Sequence, residues 1–253
     1  MNIRKALLAA ACISIFLMPG AASAIGVEAA LGGWSQDPGG DIAYKGENLG
    51  LGSDLMYGSK TRFFGRAKID MPLFIPNIYL MATPMSFEGT GSKNVPFVFG
   101  NRTFNATIPF SSDLRLDHYD IALYYGLPFV KTATTGKLNV DAGLDLRIVD
   151  FNASVKQSAL NFSEAKSFTL PVPMVYIGAQ VKPVDKLSLE AEIRAIAYNS
   201  SHFYDLIGRV KYKVFGPAFL SAGYRHESIR IDTKDVKADV RFSGPFAEVG
   251  VEF

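Results

Sequence analysis

Three histidines, one cysteine and a series of carboxylates are the groups this chain offers for acid–base or nucleophilic chemistry. His118 stands two residues from Asp120, a spacing that places both on one face of a strand and lets the carboxylate orient the imidazole. His226 adjoins Glu227, which falls on the opposite face, and His202 lies in a short expected turn near Asp205. No Gly-x-Ser-x-Gly elbow, His-Glu-x-x-His zinc motif or phosphate-binding glycine loop occurs, and the glycines at 50–53 and 89–92 lack a following Lys-Ser/Thr. The expectation is a protein without a catalytic site, a cofactor or a metal, with a hydrolase built on His118 as the minor alternative.

The elements that would position these groups are prepared by the N-terminus. Arg4 and Lys5 precede an apolar stretch at 6–18, Pro19 and Gly20 break it, and Ala22-Ser23-Ala24 offers a cleavage site. Residues 1–24 are therefore expected to be a secretory signal peptide and 25–253 the mature domain. Ala9-Ala10-Ala11-Cys12 lacks the leucine of a lipoprotein box, so no lipid anchor is expected. Losing Cys12 leaves neither disulfide nor thiolate metal site. Losing Arg4 and Lys5 leaves 24 basic residues against 24 acidic ones, with no excess for nucleic acid. The most apolar mature stretch, 71–85, is broken by Pro72, Pro76 and Pro84 and falls short of the ~20 residues of a membrane helix.

Alternation with a period of two dominates what remains. Phe63, Gly65, Ala67 and Ile69 oppose Arg62, Phe64, Arg66, Lys68 and Asp70. Val140, Ala142, Leu144 and Leu146 oppose Asp141, Asp145 and Arg147, and Leu189, Ala191 and Ile193 oppose Glu190, Glu192 and Arg194. Leu206 and Val210 likewise oppose Asp205, Arg209 and Lys211. Such strands suit either a soluble barrel with its apolar face inward or an outer-membrane barrel with that face on lipid. The leader, the charges of both signs on each polar face and the Phe and Tyr residues near strand ends select lipid. An all-β, transmembrane, antiparallel up-and-down barrel of about ten strands is predicted, with eight or twelve as alternatives, in the outer membrane of a Gram-negative bacterium.

The longest connections, 36–59, 89–113 and 152–167, fall on one, external, side. The segment 95–109 could add a hairpin, and the parity change around Ser243-Gly244-Pro245 predicts a bulge. The lumen would collect Arg62, Arg66, Lys68, Asp70, His118, Asp120, Asp141, Asp145, Arg147, Glu190, Glu192, Arg194, Asp205, Arg209, Lys211, Arg225 and Glu227, joined by Glu248. At this strand number a paired ionic filling is expected, with a narrow, porin-like path for ions or small solutes as the alternative. The role read from this is structural or interactive. Tyr44, Tyr57, Phe97 and Phe99 in the long loops look exposed and suited to an external ligand, which the chain does not identify.

The last residues set Val249, Val251 and Phe253 at alternate positions, and this ending resembles the C-terminal signal by which outer-membrane barrels engage their assembly machinery. Further ordered fragments are Gly32-Gly33-Trp34, Leu116-Asp117-His118-Tyr119-Asp120, Leu123-Tyr124-Tyr125, Phe203-Tyr204-Asp205, Ala222-Gly223-Tyr224-Arg225 and Phe242-Ser243-Gly244-Pro245-Phe246. Together they resemble a family of small bacterial outer-membrane proteins marked by a Gly-Gly pair near the mature N-terminus. The resemblance implies a barrel in the outer membrane, with lipid and the assembly machinery as partners, and brings no substrate or catalytic residue.

Overall fold

The computed structural model of the protein describes residues 25–72, 74–234 and 236–253. The expected signal peptide and Cys12 lie outside the described residues. The elements are β1 (Gly26–Tyr44), β2 (Leu49–Gly50), β3 (Lys60–Asp70), β4 (Asn77–Thr83), β5 (Ser86–Gly91), β6 (Phe97–Phe99), β7 (Arg102–Phe104) and β8 (Phe110–Gly126), followed by α1 (Pro128–Ala133), β9 (Leu138–Gln157), β10 (Phe162–Val184), β11 (Leu187–Tyr198), β12 (Ser201–Phe215), β13 (Ala218–Asp232) and β14 (Val236–Glu252). Each wall strand pairs antiparallel with the next, and β14 returns to β1 from Glu28–Glu252 to Tyr44–Val236. β4 and β5 share one register along β8 and form a single wall strand interrupted at Pro84, so the closed barrel has ten strands. Among the described residues no helix is long and apolar enough to cross a membrane.

The apolar parity faces outward. Leu144 is 71% exposed and Val249 60%, with Leu31, Ile121, Ile177 and Leu220 on the same outer surface, whereas Asp145, Arg147 and Glu248 beside them are buried. An apolar exterior around a charged interior is the anatomy of an outer-membrane barrel, and the even strand number puts both termini at the end with the short, periplasmic turns. The protein is an outer-membrane β-barrel of the Gram-negative type.

Several strands outrun the lipid. β1 continues nine residues past the expected end at Ser35, and the expected loop 152–167 is a strand hairpin, β9 and β10 meeting at a tight turn. Along these extensions the two faces exchange character. On β8 the outward row changes from Tyr119, Ile121 and Leu123 to Ser111, Asp113, Arg115 and Asp117. The inward row changes from His118 and Asp120 to Phe110, Leu114 and Leu116. The physical reason is the change of solvent: outside the bilayer the outer face meets water, and the inner face packs on an apolar core. The same exchange accounts for the parity change on β14. Its register runs without a shift against both β1 and β13, so the bulge expected at 243–245 is absent. Phe242, Gly244, Phe246 and Glu248 all face inward.

The long loops supply that apolar core. Leu49, Leu51, Leu55 and Tyr57 from 45–59 are buried with Phe97, Phe99 and Phe104 of the β6–β7 hairpin, which lies inside the cap and not in the wall. Tyr57, Phe97 and Phe99 are thus interior residues, contrary to the sequence expectation. Gln157 staples the second loop, donating to the Asn105 and Ile108 carbonyls at 2.9 and 3.0 Å and accepting from the Asn105 amide at 3.1 Å. On the opposite side the connection after β8 contains α1, started by Pro128 in its first turn.

One stretch of wall is low. β10 pairs with β11 only from Val175 downward, and above it residues 162–174 pair with β9 alone. β11 and β12 end at Tyr198 and Ser201.

The exchange of faces fixes the edge of the lipid band on β8. In lipid vesicles, a cysteine replacing Arg115 should react with a polar maleimide while one replacing Ile121 should not; reaction at 121 alone would refute this placement.

Candidate functional site

The lumen below the cap is the only place where the described residues gather many charges, and strand alternation puts them there. Lumen-side positions on β8, β9, β11, β12 and β13 carry Asp120, Arg147, Arg194, Asp205 and Arg225 at similar depth. Arg147 Nε donates to Asp120 at 2.6 Å, and its Nη2 donates to Asp205 at 2.6 Å. Its Nη1 lies 3.5 Å from Glu227. Arg225 forks onto both oxygens of Asp205 at 2.9 and 2.7 Å and donates to Thr83 Oγ1 at 3.0 Å. The first two bonds join neighbouring strands β13 and β12, and the third crosses the barrel to β4. Arg147, Arg194, Asp205 and Glu227 have no accessible surface.

A second layer lies nearer the periplasm. Arg66 joins Glu28 at 2.5 Å and Glu248 at 3.0 Å. Lys211 reaches Glu28, Glu190 and Glu252 at 2.8, 3.0 and 3.0 Å. Arg209 bonds Glu192 at 3.0 Å and Glu190 at 3.3 Å, and Lys68 spans from β3 to Glu192 on β11 at 3.1 Å. Aromatic faces complete the packing: Arg225 lies 4.6 Å from the Trp34 ring centre, Arg147 4.8 Å from Phe203, and Arg194 between Tyr79 and Tyr176 at 4.8 and 5.2 Å. Gly32 makes room for this layer, since a Cβ there would stand 2.8 Å from both Phe64 and Glu248.

Of the residues expected in the lumen, Arg62, Asp70 and Asp141 stand outside the ion-paired layers. Arg62 donates to the Ser86 carbonyl at 2.9 Å, and Asp141 accepts from Asn139 at 2.8 Å. Asp70 is exposed at the periplasmic rim, 3.4 Å from the Tyr124 hydroxyl. Asp70, Asp141, Lys68 and Glu252 line a periplasm-facing cavity of 180 Å³. Sequence reading missed Glu28 and Glu252 as network members; Glu28 shares its parity with Trp34 on β1, and that signal was available. Asp145 lies 3.9 Å from Arg194.

His118 is placed badly for a base. Its Nδ1 lies 3.1 Å from the Leu116 carbonyl, which can only accept, so Nδ1 carries the proton. Nε2 then receives Arg225 Nη2 at 3.2 Å, and its lone pair points at a guanidinium. His226 bonds Ser243 at 2.7 Å on the outer face, and His202 stacks on Tyr204 within β12, not in a turn. Among the described residues no group of His, Cys, Asp and Glu is arranged to hold a metal ion.

No protein-family model and no curated protein matches the chain. Among solved structures it is similar to the outer membrane protease OmpT from Escherichia coli, at 11% identity over 94% of this chain and 99% of that one, TM-score 0.49. It is also similar to the translocator domain of the autotransporter NalP from Neisseria meningitidis, at 14% identity over 99% and 95%, TM-score 0.40. A third likeness is to Ail, the attachment invasion locus protein of Yersinia pestis, at 11% over 88% and 98%, TM-score 0.38. At these identities and scores the likenesses say nothing about activity, ligand or partner.

Replacing Arg147 by Ala would strand Asp120 and Asp205 in the lumen. The expected loss is about 3–5 kcal/mol in urea unfolding, whereas Arg230→Ala, which breaks an exposed pair with Asp239, should leave the unfolding curve nearly unchanged. In the cap, burial pushes the Tyr57 phenol up from 10.0 to about 12. Its folded value lies above the unfolded one, so its contribution is whole below pH 10 and falls as pH climbs to about 12. Stability should fall over that window in the wild type and fall less steeply in Tyr57→Phe, as read by unfolding at each pH.

Proposed function

We propose that this protein is a non-conducting, non-enzymatic barrel whose working surface is the external cap, serving a structural or interaction role. The observation that carries the reading is the pair of ionic layers: cross-lumen salt bridges whose central members have no accessible surface. A narrow barrel filled in this way holds its strands in one arrangement, and the cap above it becomes a rigid platform. Binding residues tend to sit on loops fixed to such scaffolds. Here 45–59 and 92–109 are fixed by their own buried side chains, so what they present outward is ordered.

The same proposal includes membership in the Gly-Gly-marked family and engagement of the assembly machinery by the last strand. Val249 faces outward, and the Phe253 amide donates to the Val27 carbonyl at 2.9 Å, next to the closing seam. The narrow-pore reading has one observation in its favour, the cavity at the periplasmic mouth.

Planar-bilayer recording separates the two. Protein shown by gel mobility before and after boiling to be folded should give no discrete current steps. Reproducible steps, abolished or resized by substitution at Arg66 or Glu190, would replace the proposal with a pore.

A further inference from the structure

Above Val175 the edge of β10 that would continue the sheet toward β11 is open. The ladder on its other side runs in one register from Phe162–Gln157 to Val181–Leu138, so the direction of each main-chain group follows from residue parity. Pro171 and Pro173 lie inside that ladder, opposite Ile148 and Leu146, and having no N–H they fit only where the N–H would point away from β9. Ser163, Ala165, Ser167 and Thr169 share their parity and turn their N–H and C=O groups to the open edge. No group among the described residues bonds to these, and all four residues are exposed.

The edge has a different character at two heights. Ile148 and Pro171 form the last apolar outward pair, and Asp150 with Thr169 begins the polar one. The prolines thus stand where lipid ends, and they remove donors that hydrocarbon would leave unsatisfied. Above them, at 163–169, the strand keeps every donor, has no register shift and shows only Ser, Ala, Ser and Thr on its outer face. Prolines, bulges and outward charges are the means by which natural proteins blunt an open edge, and none is used on this stretch. Its two charges are on the inner face: Glu164 packs against Gly100 of the β6–β7 hairpin, and Lys166 is exposed, without an ion-pair partner among the described residues.

A row of alternating donors and acceptors at strand spacing is matched by another strand, which meets each group in turn. A second copy of this chain cannot supply it. Copies in one membrane are related by rotation about its normal, and with strands tilted by roughly 35–45° two β10 edges would cross at about twice that angle, too steeply to form a ladder.

We propose that the upper edge of β10, at 163–169, takes up an extended segment of another polypeptide as an added antiparallel strand on the external side. Main-chain bonds to Ser163, Ala165, Ser167 and Thr169 hold the segment. Selection comes from the side chains opposite the inner row: an acidic residue against Lys166, and apolar ones against Phe168 and Leu170, the latter 47% exposed. Strand addition here rests on the interaction role given above and names its partner. It needs no path through the lumen, so its failure would leave the closed, non-conducting barrel untouched.

The probe is a synthetic peptide with the sequence of residues 148–157, which already matches this stretch from the β9 side. Laid on the open edge with the direction and inner face of β9, it aims the amides of Asp150, Asn152 and Ser154 at β10 and those of Phe151, Ala153 and Val155 away. Amide exchange of the refolded protein in phosphatidylcholine nanodiscs is read residue by residue. Without peptide, Ser163, Ala165, Ser167 and Thr169 should exchange fast and their even-numbered neighbours slowly. Millimolar peptide should slow those four at least about tenfold, and a peptide with Ala153→Glu should do so at lower concentration. N-methylation of the peptide at 150, 152 and 154 should abolish the protection, and at 151, 153 and 155 should leave it. Ala165→Pro with Ser167→Pro in the protein, which repeat the arrangement of Pro171 and Pro173 and spare the bonds to β9, should prevent binding in a barrel shown by gel mobility to be folded. Slow exchange of the four amides without peptide, no protection by millimolar peptide, the same effect of methylation on either edge, or binding that survives both prolines would overturn the added strand. No gain from Ala153→Glu would overturn the role of Lys166.

Discussion

With no water in the hydrocarbon layer to satisfy a free strand edge, the sheet must close on itself, and β1 does so against β14 from Glu28 to Tyr44 in one register, interrupted only at Ser35 and Gln36. Closure at ten strands then creates a second obligation. Alternation sends every other side chain into a narrow lumen, and because the outer set must be apolar, the inner set carries the polar residues. Charges held there away from water have to neutralise one another. Arg147 and Arg225 share Asp205, and Lys211 gathers Glu28, Glu190 and Glu252. Such pairs add little net stability compared with an apolar filling, but removing one member leaves an unpaired charge, so they tie the strands to one mutual arrangement.

Above the bilayer the obligation reverses. The outer surface of the extended strands faces water and becomes polar, as Asp150, Lys156 and Arg241 illustrate, and the inner surface is free to be apolar. It is filled by chain that returns from the loops: Phe97 stacks on Phe104 at 5.2 Å, and Phe87 on Phe242 at 5.3 Å. The molecule therefore has two interiors, one ionic and one hydrophobic, stacked along a single barrel. The first answers to the membrane and the second to the external medium, and together they close the lumen with side chains at both levels.

The low wall over β11 and β12 departs from this scheme. There the upper part of β10 pairs with β9 alone, and Leu170 and Tyr198, on the lumen parity of their strands, are exposed.

Alternation and turn spacing along the chain determined the class of fold, a strand number of about ten with eight and twelve left open, the outward apolar face and most of the lumen charges, because a period of two assigns each residue to a face without knowledge of any partner strand. Glu28 could have been added by the same parity. What alternation could not state is the solvent on either side. The change of parity at Ser243-Gly244-Pro245 looked like a bulge because the sequence records which face is apolar, and the same apolar residue serves lipid below the boundary and a core above it. Tyr57, Phe97 and Phe99 looked exposed for a related reason: loop residues carry no period, and their burial depends on residues far along the chain such as Phe110 and Phe242. The pairing of Arg147 with Asp205, the occupation of His118 by Arg225 and the unpaired upper edge of β10 depend on which strands meet across the barrel and where each one stops. Those are three-dimensional quantities, and only the tertiary structure decided them.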